Sequence, residues 1–255
     1  MDYLSRNSDV SGEGLRLAYS HHRASGPDRG PTIVFLLGYG SDMSGNKAMA
    51  LSALADCEDR SLLLFDYAGC GASEGAFEEQ TLADWRDDAI HCITALVEGP
   101  VLLVGSSMGG WLMLHVALAL GDLVQGMIGV AAAPDFTDWG FTQDQKMTML
   151  QMGQIEQPNE YGPEPTVTTA AFWKSGEAMR LLHAPIAIQC PVTLLHGQAD
   201  QDVPWEYSVR LAKMLDSPRV ETILIKDGDH RLSRPEDIAR LLGATEWMLE
   251  TIRAV

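Results

Sequence analysis

Short apolar segments bounded by turn residues recur along most of the chain. They lie at 33–37, 61–66, 101–104, 126–133, 192–196 and 220–225, and a further segment at 15–20 alternates apolar and polar residues. A continuous apolar run is typical of a strand that is buried on both faces, as in a parallel sheet. Helical patterns at 45–57, 81–96 and 110–120, in a stretch ending near 215, and after residue 235 separate these strands. This alternation predicts right-handed βαβ units around a mostly parallel sheet with helices on both faces.

Residues 134–185 interrupt the alternation. The segment contains no run typical of a buried strand, and it predicts two short helices, near 143–152 and 168–182. We expect it to form a small cap inserted between two parts of one core, 1–133 and 186–255. Whether its large apolar side chains only pack the cap or also line a substrate pocket stays open at this point. These are Phe136, Trp139, Phe141, Met147, Met149, Met152, Tyr161, Phe172 and Trp173.

Composition narrows the partners of the protein. The 255 residues include 46% hydrophobic and 21% charged residues, with a formal net charge of −17. Nucleic acids and anionic membrane surfaces repel a chain with this large negative charge. We therefore expect neither as a partner. Residues 99–121 lack charged side chains, but glycine and serine interrupt them, and we interpret them as a buried strand and helix rather than a membrane span.

The cysteines and the N-terminal residues give information on the cellular compartment of the protein. The four cysteines form no C-x-x-C pair and no spacing typical of a metal site, which indicates reduced thiols and no bound metal. The first nine residues lack the apolar core of a signal peptide and the Arg-rich character of a transit peptide. We therefore expect a cytoplasmic protein.

The segment Gly105-Ser106-Ser107-Met108-Gly109 lies between a predicted strand and a predicted helix. This order, strand then G-x-S-x-G then helix, is typical of a nucleophile elbow, a sharp turn that exposes a serine. The turn needs glycine two residues before and two residues after the nucleophile. Only Ser107 has glycine at both positions, so Ser107 rather than Ser106 is the candidate nucleophile.

A serine hydroxyl needs a base to take its proton and an acid to orient that base. Functional side chains of an open α/β sheet gather at the carboxyl ends of the strands, and His230 follows the last strand directly. His196 also ends a strand, but glycine follows it, and we expect it to pack in a turn. The other five histidines are assigned to an early loop or to helices. Asp200 and Asp202 both follow the preceding strand, and spacing alone does not choose between them.

Acyl transfer also needs hydrogen-bond donors for the oxyanion that develops in the transition state. The backbone N–H of Met108, directly after the candidate nucleophile, is the first expected donor. The second is expected from the glycine-rich turn after the strand at 33–37, where the N–H of Tyr39 is best placed.

Several motifs together resemble the α/β-hydrolase superfamily, and within it the group of mitochondrial acyl-glucuronide esterases and palmitoyl-protein thioesterases. The matching stretches lie at 41–48, 65–73, 81–86, 105–115, 194–205 and 229–231. The resemblance implies that Ser107 is the nucleophile, Asp200 the acid and His230 the base, with Asp202 as the fallback for the acid.

These observations together predict a serine carboxylesterase or thioesterase that forms an acyl-enzyme on Ser107. Its expected partner is a small acyl ester or thioester, and the reaction needs no cofactor or metal. The alternatives are other chemistry on the same residues, such as perhydrolysis or C–C bond hydrolysis, and a non-catalytic binding protein of the same fold.

Overall fold

The computed structural model describes residues 1–6, 14–26, 30–158 and 165–253. Its strands are β1 (Asp2–Ser5), β2 (Arg16–His22), β3 (Thr32–Leu36), β4 (Leu62–Phe65), β5 (Val101–Ser106), β6 (Val124–Val130), β7 (Gln154–Gln157), β8 (Thr166–Thr169), β9 (Val192–Gly197) and β10 (Val220–Ile225). Its α-helices are α1 (Asn46–Cys57), α2 (Leu82–Leu96), α3 (Met108–Leu120), α4 (Phe136–Trp139), α5 (Gln143–Met152), α6 (Ala170–Ala178), α7 (Glu206–Met214) and α8 (Pro235–Arg253).

Eight strands form one sheet in the order β1-β2-β4-β3-β5-β6-β9-β10. Six neighbouring strands of this sheet run parallel, namely β4, β3, β5, β6, β9 and β10. Strand β2 pairs antiparallel with both β1 and β4. This confirms the predicted fold class. Every residue of β3 and β4 is buried, and β5 is buried as far as Gly105, as their unbroken apolar sequences predict.

Helices cover the sheet on both faces. Helix α2 contacts α3, and α1 contacts α8. Trp85 of α2 and Trp111 of α3 are almost completely buried. Thr81 caps α2 by accepting a hydrogen bond from the amide of Asp84, while the Asp84 carboxylate accepts one from the amide of Thr81. Such reciprocal capping satisfies two donors that the first helical turn leaves unpaired.

Some elements differ from the sequence prediction. Strand β1 has no apolar run, because most of its residues are exposed at the sheet edge. Strand β2 extends to His22 and contains both histidines that were assigned to a loop. Within 134–185, β7 and β8 form an antiparallel hairpin of mostly polar residues, which the apolar pattern could not predict. Of the residues expected in the cap, Tyr161 lies outside the described ranges.

The uncharged stretch at 99–121 folds as β5 followed by α3, as expected. Among the described residues, no helix combines the length and the apolar character needed to cross a bilayer.

Candidate active site

Ser107 lies at the turn between β5 and α3, in a backbone conformation that side chains rarely adopt. Its φ is 54° and its ψ is −119°, and such a conformation costs about 1–3 kcal/mol unless its surroundings hold it. The surroundings do so: the Ser107 amide donates to the carbonyl of Val130 at 2.9 Å. A Cβ on Gly109 would collide with the carbonyl oxygens of Leu36 and Leu37. Glycine at this position therefore allows α3 to begin directly against β3.

His230 lies within hydrogen-bond reach of Ser107. Its Nε2 is 3.1 Å from the Ser107 Oγ, and its Nδ1 is 2.9 Å from Oδ2 of Asp200. The carboxylate can only accept, so Nδ1 carries the proton and the lone pair of Nε2 faces the serine hydroxyl. The three side chains form a hydrogen-bonded chain in the order that general-base activation of a serine requires.

Close contact between two loops brings His230 and Asp200 together. The amide of Ala199 donates to the carbonyl of Gly228 at 2.9 Å, which joins the loop after β9 to the loop after β10. A Cβ on Gly197 would lie only 2.8 Å from the carbonyl oxygen of Asp229. Glycine after His196 therefore lets the two strand ends approach each other.

Four N–H donors surround the carboxylate of Asp200. Oδ1 accepts from the backbone amides of Asp202 and Val203, and Oδ2 accepts from His230 and His196. Burial alone would raise the pKa of Asp200, but the hydrogen bonds from His196 and His230 outweigh it and hold the pKa well below its usual range. The carboxylate is thus ionised at neutral pH.

The exposed Asp202 lies close to the same residues. Ligand atoms of Asp200, Asp202 and His230 all lie within 4.8 Å of one another, and among the described residues they are the group that could hold a metal ion. The lone pairs of Asp200 are already used by four donors, which favours hydrogen bonding over metal ligation. Between the two candidate acids, the geometry favours Asp200, because its carboxylate bonds to His230 directly.

The glycine-rich turn after β3 covers the nucleophile. A Cβ on Gly38 would lie 3.4 Å from the carbonyl oxygen of Ser106 and 3.5 Å from the Cβ of Ser107, so this turn lies directly beside the nucleophile. Asp66 fixes this region: its carboxylate accepts from the amide of Met43 at 2.7 Å and from that of Ala72 at 2.8 Å. The amide of Met108 is the first of α3 and has no partner within the helix.

A pocket of about 540 Å³ opens above Ser107. Its lining includes Phe136, Trp139 and Phe141 from the segment 134–185, together with Ser107 and His230. Other large apolar residues of that segment have a packing role: Met149 is completely buried and Phe172 is 2% exposed. The aromatic residues of the segment therefore divide between those that pack and those that line the pocket above Ser107.

Charged side chains of both signs also line the pocket. Lys47 and Arg231 contribute two positive charges, and Asp42 and Asp202 contribute two negative charges. Burial, with a smaller contribution from the nearby Arg231, lowers the pKa of Lys47 to about 8. The local charge of the pocket is thus balanced, although the chain as a whole carries −17.

Two residues of the site were missed in the sequence. His196, expected to pack in a turn, donates a hydrogen bond to Asp200, and Asp66 supports the turn that covers Ser107. Both come directly at or after the end of a buried strand, which is the one local signal that could have indicated them. His183, assigned to a helix, lies in a turn after α6.

Comparisons with known proteins identify the family and the fold. The sequence profile described as the alpha/beta hydrolase family matches residues 33–241. The human palmitoyl-protein thioesterase ABHD10 is 38% identical over 231 residues, which cover 89% of this chain and 76% of the relative.

Two solved structures are also similar. A putative hydrolase from Agrobacterium vitis S4 superposes with a TM-score of 0.90 at 35% identity, covering 97% of this chain and 98% of the other. The mouse alpha/beta hydrolase domain-containing protein 10 has a TM-score of 0.87 at 34% identity, covering 99% and 100%. The resemblance inferred from the motifs is therefore confirmed.

One expectation from the sequence is wrong. The mammalian relatives, 38% identical over 89% of the chain in the human case, are named as mitochondrial proteins. These names contradict the cytoplasmic location, which had been expected from the four reduced cysteines and the composition of the first nine residues.

Proposed function

The chain belongs to the alpha/beta hydrolase family, and from this premise we propose that it is a serine hydrolase with Ser107 as nucleophile, His230 as general base and Asp200 as the orienting acid. Hydrolysis of an ester or thioester is the activity that its relatives and its fold support. The observation that carries the proposal is the hydrogen-bonded chain from Ser107 through His230 to Asp200, with separations of 3.1 and 2.9 Å.

In the first half of the reaction, His230 Nε2 takes the hydroxyl proton while Ser107 Oγ attacks the acyl carbonyl. Asp200 holds the proton on Nδ1 and stabilises the imidazolium that forms. The tetrahedral intermediate then collapses, and His230 gives its proton to the leaving alcohol or thiol. An acyl group remains on Ser107.

In the second half, water attacks the acyl-enzyme while His230 accepts a proton from it. The acid product leaves, and the serine hydroxyl is restored. In both halves the carbonyl oxygen becomes negative, and we assign its stabilisation to the backbone amides of Met108 and Tyr39. Removing one such donor typically slows turnover by roughly a hundredfold to a thousandfold.

We propose an apolar acyl group as the substrate moiety that occupies the pocket. Phe136, Trp139 and Phe141 offer apolar surface beside the nucleophile, and the mammalian relatives are named palmitoyl-protein thioesterases. In this account, residues 134–185 act as a cap that shapes the acyl site above the core formed by 1–133 and 186–255.

A panel of p-nitrophenyl esters and acyl thioesters of increasing chain length tests both parts of the proposal. We expect kcat/KM to rise with chain length, and we expect Ser107→Ala to abolish turnover of every substrate. Retained turnover in Ser107→Ala would refute the nucleophile. A purified wild-type protein that hydrolyses no ester or thioester would instead indicate a binding protein of this fold.

A further inference from the structure

His196 occupies a buried position that the proposed mechanism does not use. It lies in β9, is fully buried, and has three hydrogen-bond partners for its ring nitrogens. Its Nε2 is 3.1 Å from Asp200 Oδ2 and 3.0 Å from the carbonyl oxygen of Val203, and its Nδ1 is 2.7 Å from the hydroxyl of Ser208 in α7. A buried imidazole with every polar atom satisfied has a defined orientation.

These neighbours define which nitrogen of His196 carries the proton. Both partners of Nε2 are acceptors, so Nε2 is the donor. The Ser208 hydroxyl can rotate to donate to Nδ1, which completes the hydrogen bonds of a neutral imidazole. Ser208 is 1% exposed, so no bulk water competes for this contact.

Asp200 therefore receives two imidazole donors on the same oxygen. His230 approaches Oδ2 with Nδ1 at 2.9 Å, and His196 approaches it with Nε2 at 3.1 Å. The two backbone amides on Oδ1 hold one end of the carboxylate, and His196 fixes the other end. Rotation of the carboxylate would break one of these four bonds.

We propose that His196 is a positioning residue: it orients the Asp200 carboxylate, and through it the His230 imidazole. The proposal rests on the function proposed above. Ser208 extends the hydrogen-bonded chain by one member, since it holds the His196 ring in the orientation that points Nε2 at Asp200. Without the Nε2 donor, the carboxylate can turn away from His230, and the base loses the alignment that proton transfer requires.

A purely structural role for His196 would have different consequences. The ring also bonds to the Val203 carbonyl, so its loss could simply loosen the loop after β9. Loosening of that kind would lower stability regardless of whether the replacement can donate a hydrogen bond. A positioning role depends on a donor at the place of Nε2, and this difference can be tested with two side chains of equal length.

The test compares His196→Gln, whose amide nitrogen can donate near the place of Nε2, with His196→Met, which cannot donate. We expect His196→Met to lower kcat by roughly ten- to a hundredfold, as for a lost hydrogen bond to a charged group, with little change in KM. We expect His196→Gln to recover most of that loss. Equal loss of kcat in both variants, or wild-type kcat in His196→Met, would overturn the proposal.

Ser208→Ala provides a second test should His196→Met fail to fold, because it keeps the imidazole. We expect it to lower kcat without raising KM, whereas the control Thr193→Val should leave kcat unchanged. Thr193 lies in β9 and is as deeply buried as Ser208, but its hydroxyl has no hydrogen-bond partner among the described residues. Equal kcat in Ser208→Ala and Thr193→Val would count against the positioning role.

Wild type and Asp200→Asn, assayed alongside, separate this inference from the proposed function. An inactive wild type would refute both. An active wild type with a disabled Asp200→Asn and a fully active His196→Met would refute the positioning role alone.

Discussion

Tyr39 connects the proposed oxyanion turn to the segment 134–185. Its hydroxyl donates to the carbonyl oxygen of Val167 in β8 at 2.9 Å. Its ring lies among four aromatic rings, with centroid separations from 4.9 Å to Phe172 up to 6.3 Å to Phe136. Tyr39→Phe removes the hydroxyl and keeps the ring, so it separates these two contributions.

The expected loss of stability in Tyr39→Phe is that of one neutral hydrogen bond, the bond to Val167. Its net contribution is about 1 kcal/mol. The other neighbour of the hydroxyl, Thr168 Oγ1, is 3.5 Å away, at the limit of hydrogen-bond distance, and adds little to this figure. We expect the Tm to fall by roughly 2–4 °C, as for a chain of this size. If the hydroxyl holds β8 over the acyl site, the same energy corresponds to at most about a fivefold rise in KM for a long-chain ester.

The value of kcat should change less than about twofold, because the ring packing that positions the Tyr39 amide remains. Burial raises the pKa of the Tyr39 hydroxyl to about 12, so it stays protonated in a neutral assay and the effect should not depend on pH. The assay is steady-state hydrolysis of a short and a long p-nitrophenyl ester, with melting followed by circular dichroism.

Tyr3→Phe is the matched control, since Tyr3 is 47% exposed on the edge strand β1. A fall in kcat above tenfold with unchanged KM would contradict this role, because the hydroxyl would then act in the chemistry. Identical behaviour of Tyr39→Phe and Tyr3→Phe would show that the hydroxyl does not hold the cap.

Two further predictions concern acidic residues. Asp200→Asn should lower kcat by roughly 10³- to 10⁴-fold, whereas Asp202→Asn should stay within about tenfold of wild type, and the opposite ranking in steady-state assays would move the acid to Asp202. Burial raises the pKa of Asp88 to about 6, so its contribution to stability is complete below about pH 4 and is lost as the pH rises through 6. Between about pH 4 and pH 7, wild type should lose up to about 3 kcal/mol of unfolding free energy relative to Asp88→Asn. Urea denaturation of wild type and Asp88→Asn at several pH values measures this effect. A difference in unfolding free energy that did not vary with pH would contradict the prediction.

Much of the core could be predicted because its signals are local. A strand buried on both faces must be apolar throughout, and this condition located β3 to β6 and β9 within a few residues. The turn at Ser107 was recognisable for a similar reason, since the backbone contacts at Gly109 exclude any side chain there. The position of His230 followed from the rule that strand ends meet at one edge of the sheet.

Other features depend on contacts that spacing does not encode. Asp200 and Asp202 both follow β9, and only the fold shows that the Asp200 carboxylate turns toward His230. The hydrogen bond from His196 to Asp200 closes over a tight loop whose conformation the sequence pattern does not specify. Strands β7 and β8 escaped prediction because a short, half-exposed hairpin needs no apolar run.

Ser107 is the proposed nucleophile, and a fluorophosphonate probe reports on it directly. The intact protein should gain the mass of one phosphonyl group, and peptide mapping should place that group on Ser107 rather than on Ser106. Ser107→Ala should gain no mass, while Ser106→Ala should still be labelled. A phosphonyl group on another residue, or undiminished labelling of Ser107→Ala, would contradict the account.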